Sequence, residues 1–377
     1  MKNKIFLLIN VFLLLISNLF AQSNQNPVSE ASLKLKSNDL NGAIAILDKA
    51  IAKKPTYFEA YEFRAYIYSL TNNYPNAVKD ISVAIELSSH GELYKKRAFY
   101  RQMSGDLMGA LNDYNVAIEK GVESADVFNA RAKLKRLTND LDGMEEDYLL
   151  ALKIRPHFAA AANGYAGVLS IRGKQQEAIN YLEQFLTKIE KDWNYNFPNP
   201  KVETVKGKEL QSEPFKDNDG QAIMAISGTR IVSQKKVTTI EEAEKDRAEM
   251  EQILNIGVCY STLARMYEKE NELEKASFNI KKAFNLNPTG IGLYDIRGRI
   301  RLKQGDYDGA IFDFTKALET TPVAQGNLAD RGIAYLLKAD NEKAQKDFEK
   351  YLQQYPKAKE NLDERIEEAK KSRKTHP

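Results

Sequence analysis

Sulfur, imidazole and indole are scarce in this 377-residue chain, which has one cysteine, three histidines and one tryptophan. A lone thiol, Cys259, excludes an internal disulfide, so packing must hold the fold together. Cys259 falls within the helical run 256–267, where cysteine behaves as a small hydrophobe. His90, His157 and His376 are too scattered for a metal site by local spacing. No HExxH, GxSxG, Walker or GxGxxG pattern occurs, and Ser233 with Lys236 forms an SxxK without its companion motifs. Asp217, Asn218, Asp219 and Gly220 lack the ligand spacing of a calcium loop and read as a turn. The sequence therefore assigns no catalytic residue, no metal ligand and no cofactor, and the chain reads as a non-enzyme. An excess of one charge is also missing: 55 Lys and Arg face 52 acidic residues, a net charge of +3. That balance argues against the concentrated basic face that nucleic acid requires.

Long apolar runs are confined to the N-terminus. Lys2 and Lys4 precede an apolar run from Ile5 to Ile16, followed by Ser17, Asn18, Leu19, Phe20, Ala21 and Gln22. This is the layout of a secretory signal peptide, with 1–21 removed after Ala21. The rival is a retained anchor, but the run is shorter than the roughly 20 apolar residues of a spanning helix. The expectation is an exported chain, periplasmic or secreted, with no stable membrane span after signal removal.

What the chain does have is a pattern written eight times at a period of about 34 residues. Its second half reads small, large, mostly small and often proline: Ala43, Leu47, Ala50 and Pro55 in the first copy. The slots return as Ala77, Ile81, Ala84; Ala110, Tyr114, Ala117; Met144, Tyr148, Ala151, Pro156; and Ala178, Leu182, Phe185. They recur as Ala276, Ile280, Ala283, Pro288; Ala310, Phe314, Ala317, Pro322; and Ala344, Phe348, Tyr351, Pro356. With the first of these residues numbered position 20 of each unit, position 8 is Ala or Gly in all eight: Ala31, Ala65, Ala98, Ala132, Ala166, Ala264, Gly298 and Gly332. Small residues at 8 and 20 let two antiparallel helices approach closely, with the large residue at 24 filling the gap beside them. Position 15 reads Asn38, Asn72, Gly105, Asn139, Gly173, Asn271, Gly305 and Ala339, so seven copies carry a residue suited to the left-handed turn between helices.

A second pattern rides on the first. Position 7 is arginine in five copies (Arg64, Arg97, Arg131, Arg297, Arg331), and position 23 is aspartate in the same five (Asp80, Asp113, Asp147, Asp313, Asp347). Elsewhere the slots hold Glu30 and Ile46, Tyr165 and Tyr181, or Leu263 and Asn279. Charges that appear and vanish together across the helix crossing predict a structural ion pair within each such repeat.

The small residues, turn and proline together resemble the tetratricopeptide repeat family, over roughly residues 24–356 minus one insertion. The resemblance implies an all-α, right-handed superhelix of about eight helical hairpins. Repeats one to five span 24–190 and repeats six to eight span 257–356, with a C-terminal capping helix and tail at 357–377. Between Ala178 and Ala276 lie nearly three periods instead of one, which places an insertion at 191–256. It opens with Trp193, Tyr195, Phe197, Pro198 and Pro200, turns polar, and alternates from Ala222 to Thr239 around Gly228, a pattern open to a small β-hairpin or to irregular chain. Residues 240–255 then read as helix, lengthening the first helix of repeat six to as much as 30 residues. In repeat five the groove positions are small, Ala160, Asn163 and Gly167, leaving space for the aromatic start of the insertion or a partner segment.

In this family the first helices line a concave groove. Its contact positions here are Glu59, Glu62, Tyr66, Lys95, Phe99, Asn129, Lys133, Asn163, Arg265 and Arg299, mixed in charge in the first half and basic in the second. The carboxylate-clamp order of some members fails in each repeat. The resemblance implies a protein-protein interaction scaffold of the cell envelope or secreted, holding an unidentified peptide or partner protein, with self-association left open. The alternative is an accessory or regulatory part of an envelope assembly, secretion or hydrolase complex whose specificity lies in 191–256.

Overall fold

The computed structural model describes residues 26–192, 201–204, 221–226, 229–236, 240–321 and 326–375. The signal segment 1–21, the aromatic residues Trp193, Tyr195 and Phe197, the polar stretch 205–220, and Gly228, Pro322 and His376 lie outside the described residues.

Seventeen α-helices are described, nearly all paired as hairpins. The first three hairpins are α1 (Pro27–Lys36) with α2 (Leu40–Lys53), α3 (Phe58–Leu70) with α4 (Tyr74–Leu87), and α5 (Gly91–Ser104) with α6 (Leu107–Glu119). Next come α7 (Ala125–Lys135) with α8 (Leu141–Ile154), and α9 (Ala159–Ile171) with α10 (Gln175–Asp192). Beyond the insertion are α11 (Ile240–Lys269) with α12 (Leu273–Leu286), α13 (Leu293–Lys303) with α14 (Tyr307–Thr320), and α15 (Gly326–Leu337) with α16 (Asn341–Gln354). The last helix, α17 (Lys359–Thr375), stands alone.

Each hairpin is made by local signals that stop one helix and start the next. All eight residues at position 15 adopt the left-handed conformation, with φ from +53° at Asn139 to +91° at Gly105. Ala339 does so at φ +67°, where its Cβ costs about 1–2 kcal/mol relative to the right-handed region. An aspartate follows in five copies and caps the second helix: Asp39, Asp106, Asp140, Asp306 and Asp340 each accept a hydrogen bond from the backbone N–H three residues on. Such a cap contributes about 1 kcal/mol.

The chain divides into two compact units, residues 1–147 and 148–377. In the first, each core cluster crosses from one hairpin to the next: Ala31, Ala43 and Leu47 meet Ala60 and Ile67, while Ala65, Ala77 and Ile81 meet Leu93 and Tyr100. Ala98, Ala110 and Tyr114 likewise meet Val127 and Leu134 of α7. In the second unit one cluster runs from Ala159 in α9 to Ile300 in α13 and takes in Cys259. A further cluster joins Ile333 and Phe348 to Leu362 and Ala369, so α17 covers the apolar face of the last hairpin. Arg365 of α17 also pairs with Asp330 of α15.

Between α10 and α11 stand three short strands, β1 (Lys201–Thr204), β2 (Gln221–Ile226) and β3 (Thr229–Lys236), in the antiparallel order β1-β3-β2. Strands β2 and β3 form the alternating pair around residues 227–228, with Ile226 opposite Thr229. Strand β1 has no sequence signature, since four residues of mixed polarity are too few to show a period. Helix α11 then runs unbroken for 30 residues.

Repeats seven and eight show how tight the crossing is. Phe314 is fully buried, and a Cβ placed on Gly298 of the facing helix would lie 2.7 Å from its ring. Gly332 stands against Phe348 in the same way, whereas copies with aliphatic residues at position 24 keep alanine at position 8. Gly298→Ala is therefore expected to destabilise the chain by about 1–3 kcal/mol despite alanine's better helix propensity, and Phe314→Leu in the same chain should recover part of the loss. Denaturant melts of the single and double variants test this; a single variant more stable than wild type would show that the ring yields.

Candidate interaction site

The five arginines at position 7 all lie across the hairpin from their aspartates as two-pronged pairs. Arg297 Nε and Nη2 donate to Asp313 at 2.9 and 2.7 Å, and Arg131 donates to Asp147 at 2.9 and 2.6 Å. Arg64 with Asp80, Arg97 with Asp113 and Arg331 with Asp347 repeat the geometry at 2.6–2.8 Å. The carboxylates of Asp113, Asp147 and Asp313 have no solvent exposure, so each depends on these donors for its solvation. In those three repeats a second cation one turn on, Arg101, Lys135 or Arg301, reaches the same carboxylate at 2.8–3.0 Å. These second cations escaped the sequence reading, although their spacing of four residues from each arginine was visible.

Each guanidinium is also placed by an aromatic ring, and in four repeats by a polar group of the preceding hairpin as well. Its plane lies over an aromatic ring at position 4 or 11: Tyr61, Tyr94, Phe128, Tyr294 or Tyr335, at 5.4–6.0 Å from the centroid. In four repeats Nη1 reaches back to position 25 of the preceding second helix, meeting Asp48, Ser82, Asn115 or Thr315. The arginine thus ties its own hairpin to the one before it.

The three departures are solved differently. Repeat five replaces the ion pair with Tyr165 and Tyr181 in an edge-to-face contact, 4.8 Å between centroids. Repeat six has buried Leu263 and buried Asn279, whose amide donates to the Lys275 carbonyl at 2.8 Å. Repeat one places Ile46 against the small cluster of Ala43 and Leu47.

The groove positions fall on the first helices. In the first unit Glu59 and Lys133 are exposed, Glu62, Tyr66 and Lys95 are half-buried, and Asn129 is buried. Phe99 stands 47% exposed on α5, with Met103 at 48% one turn on. Lys96 of α5 bonds to Glu62 of α3 at 2.5 Å, linking successive first helices, while Lys95 pairs with Glu92 at 2.6 Å. Beside Glu62 a cavity of about 600 Å³ opens between Phe58, His90, Glu92, Lys120 and Glu123, residues that sequence reasoning did not select because they sit at helix starts and loops. In the second unit Asn163 is half-buried on α9 and Arg265 is exposed on α11. Arg299 is met by Asp295 at 2.5 Å and Glu268 at 3.5 Å, so its charge is answered locally. Gly167 faces open space.

Reactive groups are engaged in structure. Burial pushes the Cys259 thiol up to about 12, and its Sγ donates to the Ala159 carbonyl at 3.4 Å. His157 Nε2 lies 2.9 Å from Asp192, and His90 Nδ1 lies 2.8 Å from the Ser88 hydroxyl. Among the described residues no group of three or more acidic, histidine or cysteine side chains is placed to hold a metal ion, and no helix is long and apolar enough to cross a membrane.

The tetratricopeptide repeat family matches residues 28–92, 258–289 and 291–323. Among solved structures, a tetratricopeptide repeat protein from Parabacteroides merdae is 17% identical and superposes with a TM-score of 0.55, covering 83% of this chain and 99% of that one. MamA is 21% identical, with a TM-score of 0.42 over 44% of this chain and 97% of its own. YrrB, described as a tetratricopeptide repeat protein with an unusual peptide-binding site, is 15% identical, with a TM-score of 0.39 over 67% of this chain and 97% of its own. No curated protein matches. Residues 28–92 and 258–323 are thus tetratricopeptide repeats, and the chain has the fold of a tetratricopeptide repeat protein.

If the paired charges act together, Arg297→Met and Asp313→Asn should not cost their sum. Unfolding free energies of both single variants and the double variant are expected to show a coupling of about 1–3 kcal/mol. Additive losses would mean that the two side chains are neighbours without being partners.

Proposed function

We propose that this protein is a non-catalytic scaffold that binds a peptide or partner protein on the face formed by its first helices. The observation that carries this reading is the exposed pair Phe99 and Met103 on α5, a helix whose Leu93, Ala98 and Tyr100 are already committed to the core. Large apolar groups left outside a satisfied core, beside the ionic frame of Glu62 and Lys96, suit a contact surface with an apolar centre and a polar rim. The repeat fold supports the reading because stacked hairpins present an extended face instead of an enclosed pocket. Export to the periplasm or beyond belongs to the same proposal and rests on Lys2, Lys4 and the apolar run Ile5 to Ile16. A second reading places specificity in the inserted sheet, whose three strands interrupt an otherwise helical array.

Two measurements test the proposal. A photoreactive residue at Phe99 should capture a partner in the native envelope, while the same group at Met108 on α6, more open at 57% exposure, should capture little. Equal capture at both sites, or none at Phe99, would remove the first-helix face as the binding surface. Chain recovered from the envelope should begin at Gln22 on N-terminal sequencing; a chain beginning at Met1 would mean the signal is retained.

A further inference from the structure

Each core cluster of the first unit ends on two residues of the next hairpin, at positions 3 and 10 of its first helix: Ala60 and Ile67, Leu93 and Tyr100, Val127 and Leu134. These two positions are the face that a hairpin turns toward the one before it. In repeats two to eight both are buried, and no residue at either position is more than 5% exposed. Repeat one holds Asn26 and Leu33 in the same slots, and no hairpin stands before it among the described residues. Asn26 is polar and satisfied, its side chain accepting from the Val28 N–H at 3.0 Å and from the Tyr57 hydroxyl at 2.7 Å. Leu33 is apolar and stands 65% exposed. The ends of a stacked array need a polar outer face, so a large apolar residue at this contact position is out of place on a solvated end.

The charges around Leu33 point to what covers it. Glu30 and Lys36 lie three residues before and after it on α1, about 60° to either side on the helix surface. Both are exposed and have no ionic partner among the described residues, whereas Lys34 is 3.1 Å from Asp39. Two copies of α1 laid antiparallel about a two-fold axis at Leu33 pair the leucines and bring each Glu30 level with the partner's Lys36. Like charges are then staggered by about 9 Å along the helices, the rise of six residues.

We propose that the N-terminal end of the array is the interface of a two-fold dimer, α1 against the α1 of a second copy, with Leu33 at its centre and Glu30 and Lys36 exchanged across it. The second copy's helix takes the place of the hairpin that covers position 10 in every other repeat. Such a pairing is self-complementary and closes on itself. Head-to-tail stacking would instead meet α17, whose apolar side is spent on Ile333 and Phe348 and whose outer surface carries Glu360, Asp363 and Glu364. Leu33 lies off groove positions 2, 5, 9 and 12, so the dimer and partner capture at Phe99 stand or fall separately.

One helix pair buries less than the roughly 1,000 Å² of a stable interface, so the dimer should be reversible, with a dissociation constant of about 1 μM to 1 mM. Sedimentation velocity of the chain beginning at Gln22, which keeps every described residue, tests this across that range. Leu33→Asp should weaken dimerisation by more than about tenfold while the circular dichroism melt in dilute solution stays unchanged, because the residue is exposed in the single chain. Lys36→Glu sets like charges level and should raise the dissociation constant about tenfold, and the charge-swapped Glu30→Lys/Lys36→Glu should restore it. A parent chain still monomeric at ~1 mM, association that survives Leu33→Asp, or a double variant no tighter than Lys36→Glu alone would overturn the proposal.

Discussion

Contact between two helices at residues with almost no side chain is the constraint on which the rest of this array depends. Alanine or glycine at position 8 and the small residue at position 20 bring the helices close, and the large residue at 24 closes the gap beside them. The approach also sets the reach of everything that flanks the crossing. An arginine at position 7 can meet an aspartate at position 23 only because the two backbones are already pressed together one residue away. Sterics come first, and the charges are arranged on the frame that sterics allow.

The ion pairs act on that frame as a choice of register. A fully buried carboxylate such as Asp313 has left water behind, and two arginines restore what it lost. Net stabilisation from such a group is modest, but the penalty for misplacing it is large, so a slipped hairpin is penalised more than a correct one is rewarded. Where the pair is missing, other chemistry holds the crossing. Repeat five uses two tyrosines edge to face, and repeat six uses a leucine and an asparagine that bonds to its own helix. The two repeats that bracket the inserted sheet, like repeat one, thus hold register without the buried arginine–aspartate pair.

The parts of this fold that were legible in the sequence are those that sterics repeat in every copy. Small residues, turn residues and the alternation around residues 227–228 each have one local cause, and the same cause acts wherever the pattern recurs. Ala339 carries no such signal, yet it turns left-handed like its seven counterparts, because the Asp340 cap and the packing of both flanking helices dictate the backbone there. The second cations Arg101, Lys135 and Arg301 were hidden for a different reason: a basic residue one turn from another looks like a solvated helix face until a buried carboxylate is seen between them. The candidate groove was legible only as a face. Position numbers say which way a side chain points, but they do not say that Glu268 and Asp295 neutralise Arg299 or that loop residues such as Lys120 border the cavity near Glu62.

The backward reach of the arginines redraws the boundaries of the repeat. Arg64, Arg97, Arg131 and Arg331 each take one acceptor from their own hairpin and another from the hairpin before. A hairpin copied elsewhere in the gene would arrive with its arginine and leave half of that arginine's partners behind. The segment that carries a complete set begins with the second helix of one unit and ends with the hairpin that follows. Duplications and swaps along this chain would therefore be tolerated best when the transferred piece carries the preceding second helix together with the whole hairpin.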